Sequence, residues 1–132
     1  MVLSRRTLLI TILLLTGCAT IAVKSRMDDF TTTAKRYERA LLMSDFSSAY
    51  KFLDPSLQKP DMDFRPYADV KLSRYQVTAI KVSQDHNEVL QDVQLEYFLL
   101  NRNILRTIPY RQEWRYDETR KAWILHTGLP AF

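Results

Sequence analysis

The chain is poor in the residues from which most reactive sites are built: in 132 residues it has one cysteine, two histidines and two glycines. A single cysteine, Cys18, excludes an intramolecular disulfide framework, so stability must come from a packed core. His86 and His126 stand far apart, one in a polar turn and one near the end of a strand pattern, which leaves no Cys/His cluster with metal-ligand spacing. Asp61 and Asp63 are close, but no compact run of oxygen ligands resembling a calcium loop surrounds them. After Gly17 the only glycine is Gly128, which excludes glycine-rich phosphate and dinucleotide loops. No block of five or six like charges occurs, so neither a nucleic-acid tail nor a polybasic membrane patch is expected. The longest apolar run, Leu8 to Leu15, is too short to cross a hydrocarbon layer of roughly 30 Å as a helix.

That short run nevertheless has a recognisable setting. Arg5 and Arg6 precede it and Thr16-Gly17-Cys18 closes it, the charge, apolar core and small residues that a secretion signal requires. Leu15-Thr16-Gly17-Cys18 resembles the lipobox of bacterial lipoproteins. The resemblance implies a cleaved signal over residues 1–17, lipid on Cys18, and a protein anchored to a membrane rather than spanning it. Ala19 after the cysteine implies, within that family, the outer membrane, with the domain facing the periplasm. The chain carries nineteen Lys and Arg against fifteen Asp and Glu; without Arg5 and Arg6 the cations number seventeen. Much of the apparent basicity thus belongs to the signal, and nucleic acid is not an expected partner.

Residues 18–27 read as a lipidated tether able to merge into the first helix, and residues 28–132 as a single domain. Asp28 or Asp29 can cap a helix whose apolar face is Phe30, Ala34, Tyr37 and Leu41, with Lys35, Arg36, Glu38 and Arg39 opposite. Ser44-Asp45 breaks the pattern and restarts a short helix through Leu53, ended by Asp54-Pro55. A proline-punctuated loop to Asp69 holds a helical turn, with Phe64 and Tyr67 pinning it to the body. From Val70 the period changes to two. Four strands follow: Val70–Val82, kinked near Ser73-Arg74; Val89–Leu100; Ile104–Tyr116; and a last one lined by Trp123, Leu125 and Thr127.

Facing apolar sets constrain the strand pairing. Odd-numbered apolar residues of the second strand must meet even-numbered ones of the third, because a slip of one residue would turn each set outward. A two-residue Arg102-Asn103 turn predicts Tyr97 opposite Ile108, Leu95 opposite Tyr110, Gln94 opposite Arg111 and Asp92 opposite Glu113. The same argument at the last hairpin pairs Tyr116 with Trp123 and Trp114 with Leu125.

A helix, a small-residue break with aspartate, a short helix and a long meander together resemble the NTF2-like α+β superfamily. The segments that carry the resemblance run from Tyr37 to Tyr50, and from Glu113-Trp114-Arg115-Tyr116 to Trp123-Ile124-Leu125. It implies N-terminal helices packed on a curved, mainly antiparallel four-stranded sheet that can leave a conical pocket. A cystatin-like helix gripped by a meander is the competing arrangement. Members of the superfamily include enzymes, small-molecule binders and interaction modules, so the fold does not select a role.

Chemistry can reside on either face of such a sheet. Tyr97, Tyr110, Gln112, Trp114, Tyr116 and Thr127 are the candidate pocket residues, since phenols and amides can bond a ligand while rings pack on it. Asp92, Arg106, Arg111, Glu113 and Arg115 are the candidate partner surface, where alternating charge gives electrostatic specificity. Asp92, Glu96 and Glu113 form the best carboxylate group, but the arginines interleaved with them favour a solvated ionic surface over acid–base catalysis. The expectation is a non-enzymatic accessory or scaffold module without cofactor or metal. It would be held to membrane lipid through Cys18 and bind an envelope protein. A small-ligand or enzymatic pocket is the alternative.

Overall fold

The computed structural model describes the backbone of residues 2–132 and the side chains of residues 18–132. The lipobox residues Leu15, Thr16 and Gly17 therefore lie outside the described side chains. One long helix, α1 (Val2–Leu42), packs on a four-stranded antiparallel sheet: β1 (Val70–Val82), β2 (Glu88–Leu99), β3 (Ile104–Asp117) and β4 (Ala122–Leu125). The strands follow in chain order, giving an α+β fold with an open meander. A short helix, α2 (Phe46–Tyr50), and two 3-10 turns, Pro55–Leu57 and Arg65–Tyr67, connect helix to sheet.

The first helix does not begin at Asp28 or Asp29 as its sequence suggests; α1 runs unbroken through the tether. Nothing between Ala19 and Met27 stops a helix, there being neither glycine nor proline. Tertiary contacts hold its inner end. The Arg26 carbonyl accepts from Trp123 Nε1 at 2.9 Å, its guanidinium donates to Asn87 and lies 4.6 Å from the Tyr116 ring centre. Beyond Arg26 the chain projects about 12 Å as helix to Cys18, at 1.5 Å per residue. Further along, Phe30, Tyr37, Ala40 and Leu41 recur on the face turned to the sheet and are buried there.

The helix ends in a Schellman motif. The Asp45 amide bonds the Ala40 carbonyl and the Ser44 amide bonds that of Leu41, both at 2.9 Å. This geometry puts Ser44 in the left-handed region, at φ 56°, where glycine is usual, and its hydroxyl is buried without a partner. Ser44→Gly is therefore expected to stabilise the domain by ~1 kcal/mol, as the relieved strain exceeds the added freedom of the unfolded chain. The check is a higher urea midpoint with unchanged slope; an unchanged or lowered midpoint would show that Ser44 is not strained.

Asp45 then caps α2, accepting from the Ser48 amide at 3.1 Å and from the Ser48 and Ser47 hydroxyls. Phe64 and Tyr67 fasten the following loop as expected, Phe64 edge-on to Tyr50 and Tyr67 stacked on Phe46 at 4.9 Å.

Pairing at the last hairpin is as the sequence predicts, with Trp114 opposite Leu125 and Tyr116 opposite Trp123. Between β2 and β3 the parity is right but the register is two residues away from the predicted one. Leu95 stands opposite Ile108, Val93 opposite Tyr110, and Asp92 opposite Arg111 rather than Glu113. The reason lies in the turn. A two-residue hairpin loop needs positive φ at its first central position, here Arg102, and in this turn only Asn103 adopts it, at φ 51°. The loop therefore takes four residues, Leu100–Asn103, between the closing pair Leu99 and Ile104. The expected kink in β1 is a register shift between Leu72 and Arg74, and a second lies between Val77 and Ala79.

The core fills the space between α1 and the inner face of the sheet. Val89, Val93, Leu95 and Tyr97 of β2, Tyr110 and Trp114 of β3, and Trp123 and Leu125 of β4 are all buried there. The β4 edge is closed by the chain itself. Leu53 bridges to Leu125, whose amide bonds the Phe52 carbonyl and whose carbonyl accepts from the Asp54 amide.

Candidate functional site

Two polar constellations deserve comparison, one inside the domain and one on the outer sheet face. The inner one begins with amides and phenols placed among apolar neighbours. Gln91 and Gln112 occupy core positions on the inner faces of β2 and β3 and are both buried. A buried amide is tolerable only when bonded, because an unmet donor or acceptor costs roughly 1–3 kcal/mol. Trp114 Nε1 donates to Gln112 Oε1 at 2.8 Å, and Gln112 Nε2 donates to the Tyr75 hydroxyl at 2.7 Å. Gln91 Nε2 donates to the same hydroxyl at 3.3 Å. A second chain runs beside it. The Tyr37 and Tyr110 hydroxyls are 2.7 Å apart, and Tyr110 donates to the Gly128 carbonyl at 2.8 Å, so Tyr37 is the donor of the pair.

Burial sets the electrostatics of this interior. It pushes the Tyr37 phenol well above its ordinary value, and the neighbouring Tyr110 adds to the shift. Burial likewise raises Tyr110 against the opposing hydrogen bond from Tyr37. Tyr75 is pushed up to about 12, again chiefly by burial. None of these phenols is tuned toward neutral pH, where an acid–base group would be most effective.

Four of the six candidate pocket residues are buried, and all six are in contact with neighbouring parts of the domain. Tyr97, Tyr110, Gln112 and Trp114 are buried in the core. Tyr97 is packed edge-on against Phe132 at 4.8 Å, and Tyr116 against Trp123 at 5.5 Å. The Thr127 hydroxyl accepts from the Glu113 amide at 3.4 Å, beside the sheet edge. Tyr37, Tyr75 and Gln91 complete the network, and sequence reading had not placed them in it. For Gln91 a signal existed: it is the polar member of the odd-numbered series Val89, Gln91, Val93, Leu95, Tyr97.

The outer constellation gathers four of the five candidate partner residues. Asp92 and Arg111 stand opposite each other, joined by Nε to Oδ1 at 2.8 Å and Nη2 to Oδ2 at 3.2 Å. This two-point contact holds the Asp92 carboxyl below the usual carboxylate range. Arg115 lies 3.6 Å from Glu88, while Glu113 stands opposite Leu90. Glu96 accepts from the Ser73 hydroxyl, so Asp92, Glu96 and Glu113 each have a different neighbour and do not form a carboxylate cluster. Arg106 is apart from the rest. It stands opposite Tyr97 and lines an open groove of about 460 Å³ with Arg102, Tyr67, Asp69 and Phe132, at the end of the sheet away from the Arg26 end of the domain.

Cys18 is exposed on α1. Among the described residues no helix is long and apolar enough to cross a membrane, and no group of three or more His, Cys, Asp or Glu is placed to hold a metal ion. Comparison with known proteins gives no match, whether to a family model, a curated protein or a solved structure.

Proposed function

We propose that this chain is a lipid-anchored bacterial envelope protein whose single α+β domain, of NTF2-like type, serves as a non-enzymatic accessory or scaffold binding module. The observation that carries the reading is the filled inner face. The amides and phenols best suited to a pocket bond one another within the core, which leaves binding to the surfaces. The sequence supports the anchor through Leu15-Thr16-Gly17-Cys18, and Ala19 favours the outer membrane with the domain in the periplasm. Helical continuity from Cys18 to the docked Arg26 would make the tether a short stiff post instead of a loose leash.

Two experiments test this. Cells fed a labelled fatty acid are expected to label the wild-type chain and not Cys18→Ala, with the substituted protein leaving the membrane fraction. Persistent labelling of Cys18→Ala rejects the anchor site. Crosslinking and co-purification of the native lipoprotein are expected to recover one specific protein partner. Saturable binding of a small ligand with no partner recovered would reject the scaffold role and favour a pocket.

A further inference from the structure

The two edges of the sheet are treated differently by the fold. At β4 the chain closes its own edge through Phe52, Leu53 and Asp54. At the opposite edge β1 has a neighbour on one side only, leaving one side of a thirteen-residue strand unpaired. Its inner-face residues beyond Tyr75 are also uncovered: Val77 is 41%, Ile80 56% and Val82 37% exposed. These three stand opposite Val93, Gln91 and Val89, which are buried, so the apolar surface of the core continues outward onto the edge.

Charge selects among occupants. The strand carries Lys71, Arg74 and Lys81 and no carboxylate. They stand opposite Phe98, Glu96 and Leu90, on the outer face, and none is within ion-pairing distance of a described carboxylate. A second copy laid antiparallel along the whole of β1 would set Lys71 against Lys81, a destabilising like-charge pair. The bulges leave three regular stretches, Val70–Leu72, Arg74–Val77 and Ala79–Val82, and the Ser73 and Thr78 hydroxyls between them bond the Glu96 and Asp92 carbonyls of β2.

We infer that the β1 edge is the docking site for an extended acidic segment of another protein, added as a fifth antiparallel strand. Its alternate side chains would be carboxylates meeting Lys71, Arg74 and Lys81, and apolar groups covering Val77, Ile80 and Val82. Backbone hydrogen bonds supply affinity in strand addition, and the alternating side chains supply selectivity. The proposal rests on the binding-module reading and names the surface and partner chemistry that reading leaves open.

The test uses residues 18–132 and a synthetic peptide of about ten residues alternating glutamate with valine or isoleucine, a typical strand length. Saturable binding is expected, weakened by salt, with slowed amide exchange confined to residues 71–82. Arg74→Glu with Lys81→Glu is expected to weaken it about tenfold or more, and Ile80→Lys, at an exposed position, to weaken it without unfolding the domain. Equal binding of a lysine-for-glutamate peptide, protection elsewhere, or a dimer that protects β1 would overturn the proposal. In cells, a photo-crosslinker at position 80 is compared with one at position 94 on the outer face. A partner captured only from position 94 overturns the strand but leaves the binding module standing. Capture from neither position, with no partner co-purified, counts against both.

Discussion

Trp114→Ala is expected to cost roughly 4–8 kcal/mol, enough to unfold a domain whose stability lies toward the lower end of the usual range of about 5–15 kcal/mol. Trp114 is fully buried at the centre of the inner sheet face. Its indole is edge-on to Tyr37 at 5.5 Å and to Phe30 at 6.1 Å, so it is the surface on which α1 rests. Removing a buried tryptophan costs about 3–5 kcal/mol in lost transfer energy and cavity. It also deprives Gln112 Oε1 of its donor, and an unmet buried acceptor adds about 1–3 kcal/mol. Trp114→Phe separates the two terms, keeping a ring while losing the N–H. Urea unfolding of residues 18–132 should show the phenylalanine variant folded and intermediate in stability. A loss below about 2 kcal/mol for alanine would mean that the helix closes down on the cavity, and that the helix–sheet contact is less rigid than its ring geometry implies.

The parts legible in the sequence are those governed by periodicity. The limits of β1, the inward set of β2 and β3, and the pairing of Trp114 with Leu125 follow from alternation, since a one-residue slip would expose tryptophan and leucine together. A slip of two preserves every face and is invisible to that argument. The β2–β3 register was therefore decided by the turn, where Arg102 avoids the left-handed backbone that a two-residue loop demands. The start of α1 was obscured for a similar reason. Asp28 and Asp29 have the chemistry of a cap, but a cap matters only where amides are unpaired, and the preceding turns supply carbonyls for them.

Polar residues in the core were the hardest to place. Tyr97, Tyr110, Gln112 and Trp114 share an inner face, which alternation shows, and a shared inner face suits a pocket and a core equally. What separates the two is where each donor ends. Gln112 reaches Tyr75, and Tyr110 spans Tyr37 and Gly128, over chain separations that no local pattern encodes. Those long-range bonds turn a set of candidate ligand contacts into a scaffold that fixes the sheet's shape. The edges and the outer face are thereby left as the surfaces where recognition can occur.

The same network predicts how the protein should fail in alkali. Tyr37, Tyr75 and Tyr110 are all raised by burial, Tyr75 to about 12 from an ordinary value of 10.0. A folded-state value above the unfolded one means that the unfolded chain releases its proton first. The stability held in each phenol is thus fully present below pH 10 and declines as pH rises from there through the folded value. Three phenols doing so together make the loss steep: Tyr37 and Tyr110 cannot ionise in place without losing the hydrogen bonds they donate to Tyr110 and Gly128, and Tyr75, which keeps its amide donors, would become a buried charge. Spectrophotometric titration of tyrosinate should show Tyr37, Tyr75 and Tyr110 ionising as one cooperative group above pH 11, coincident with loss of the circular dichroism of α1. Tyr110→Phe is expected to remove one member of that group while leaving the Tyr37 hydroxyl without its acceptor, at about 1–3 kcal/mol. One smooth titration of all seven tyrosines with secondary structure intact would place these hydroxyls in contact with solvent, and the inner face would then have to be an open pocket after all.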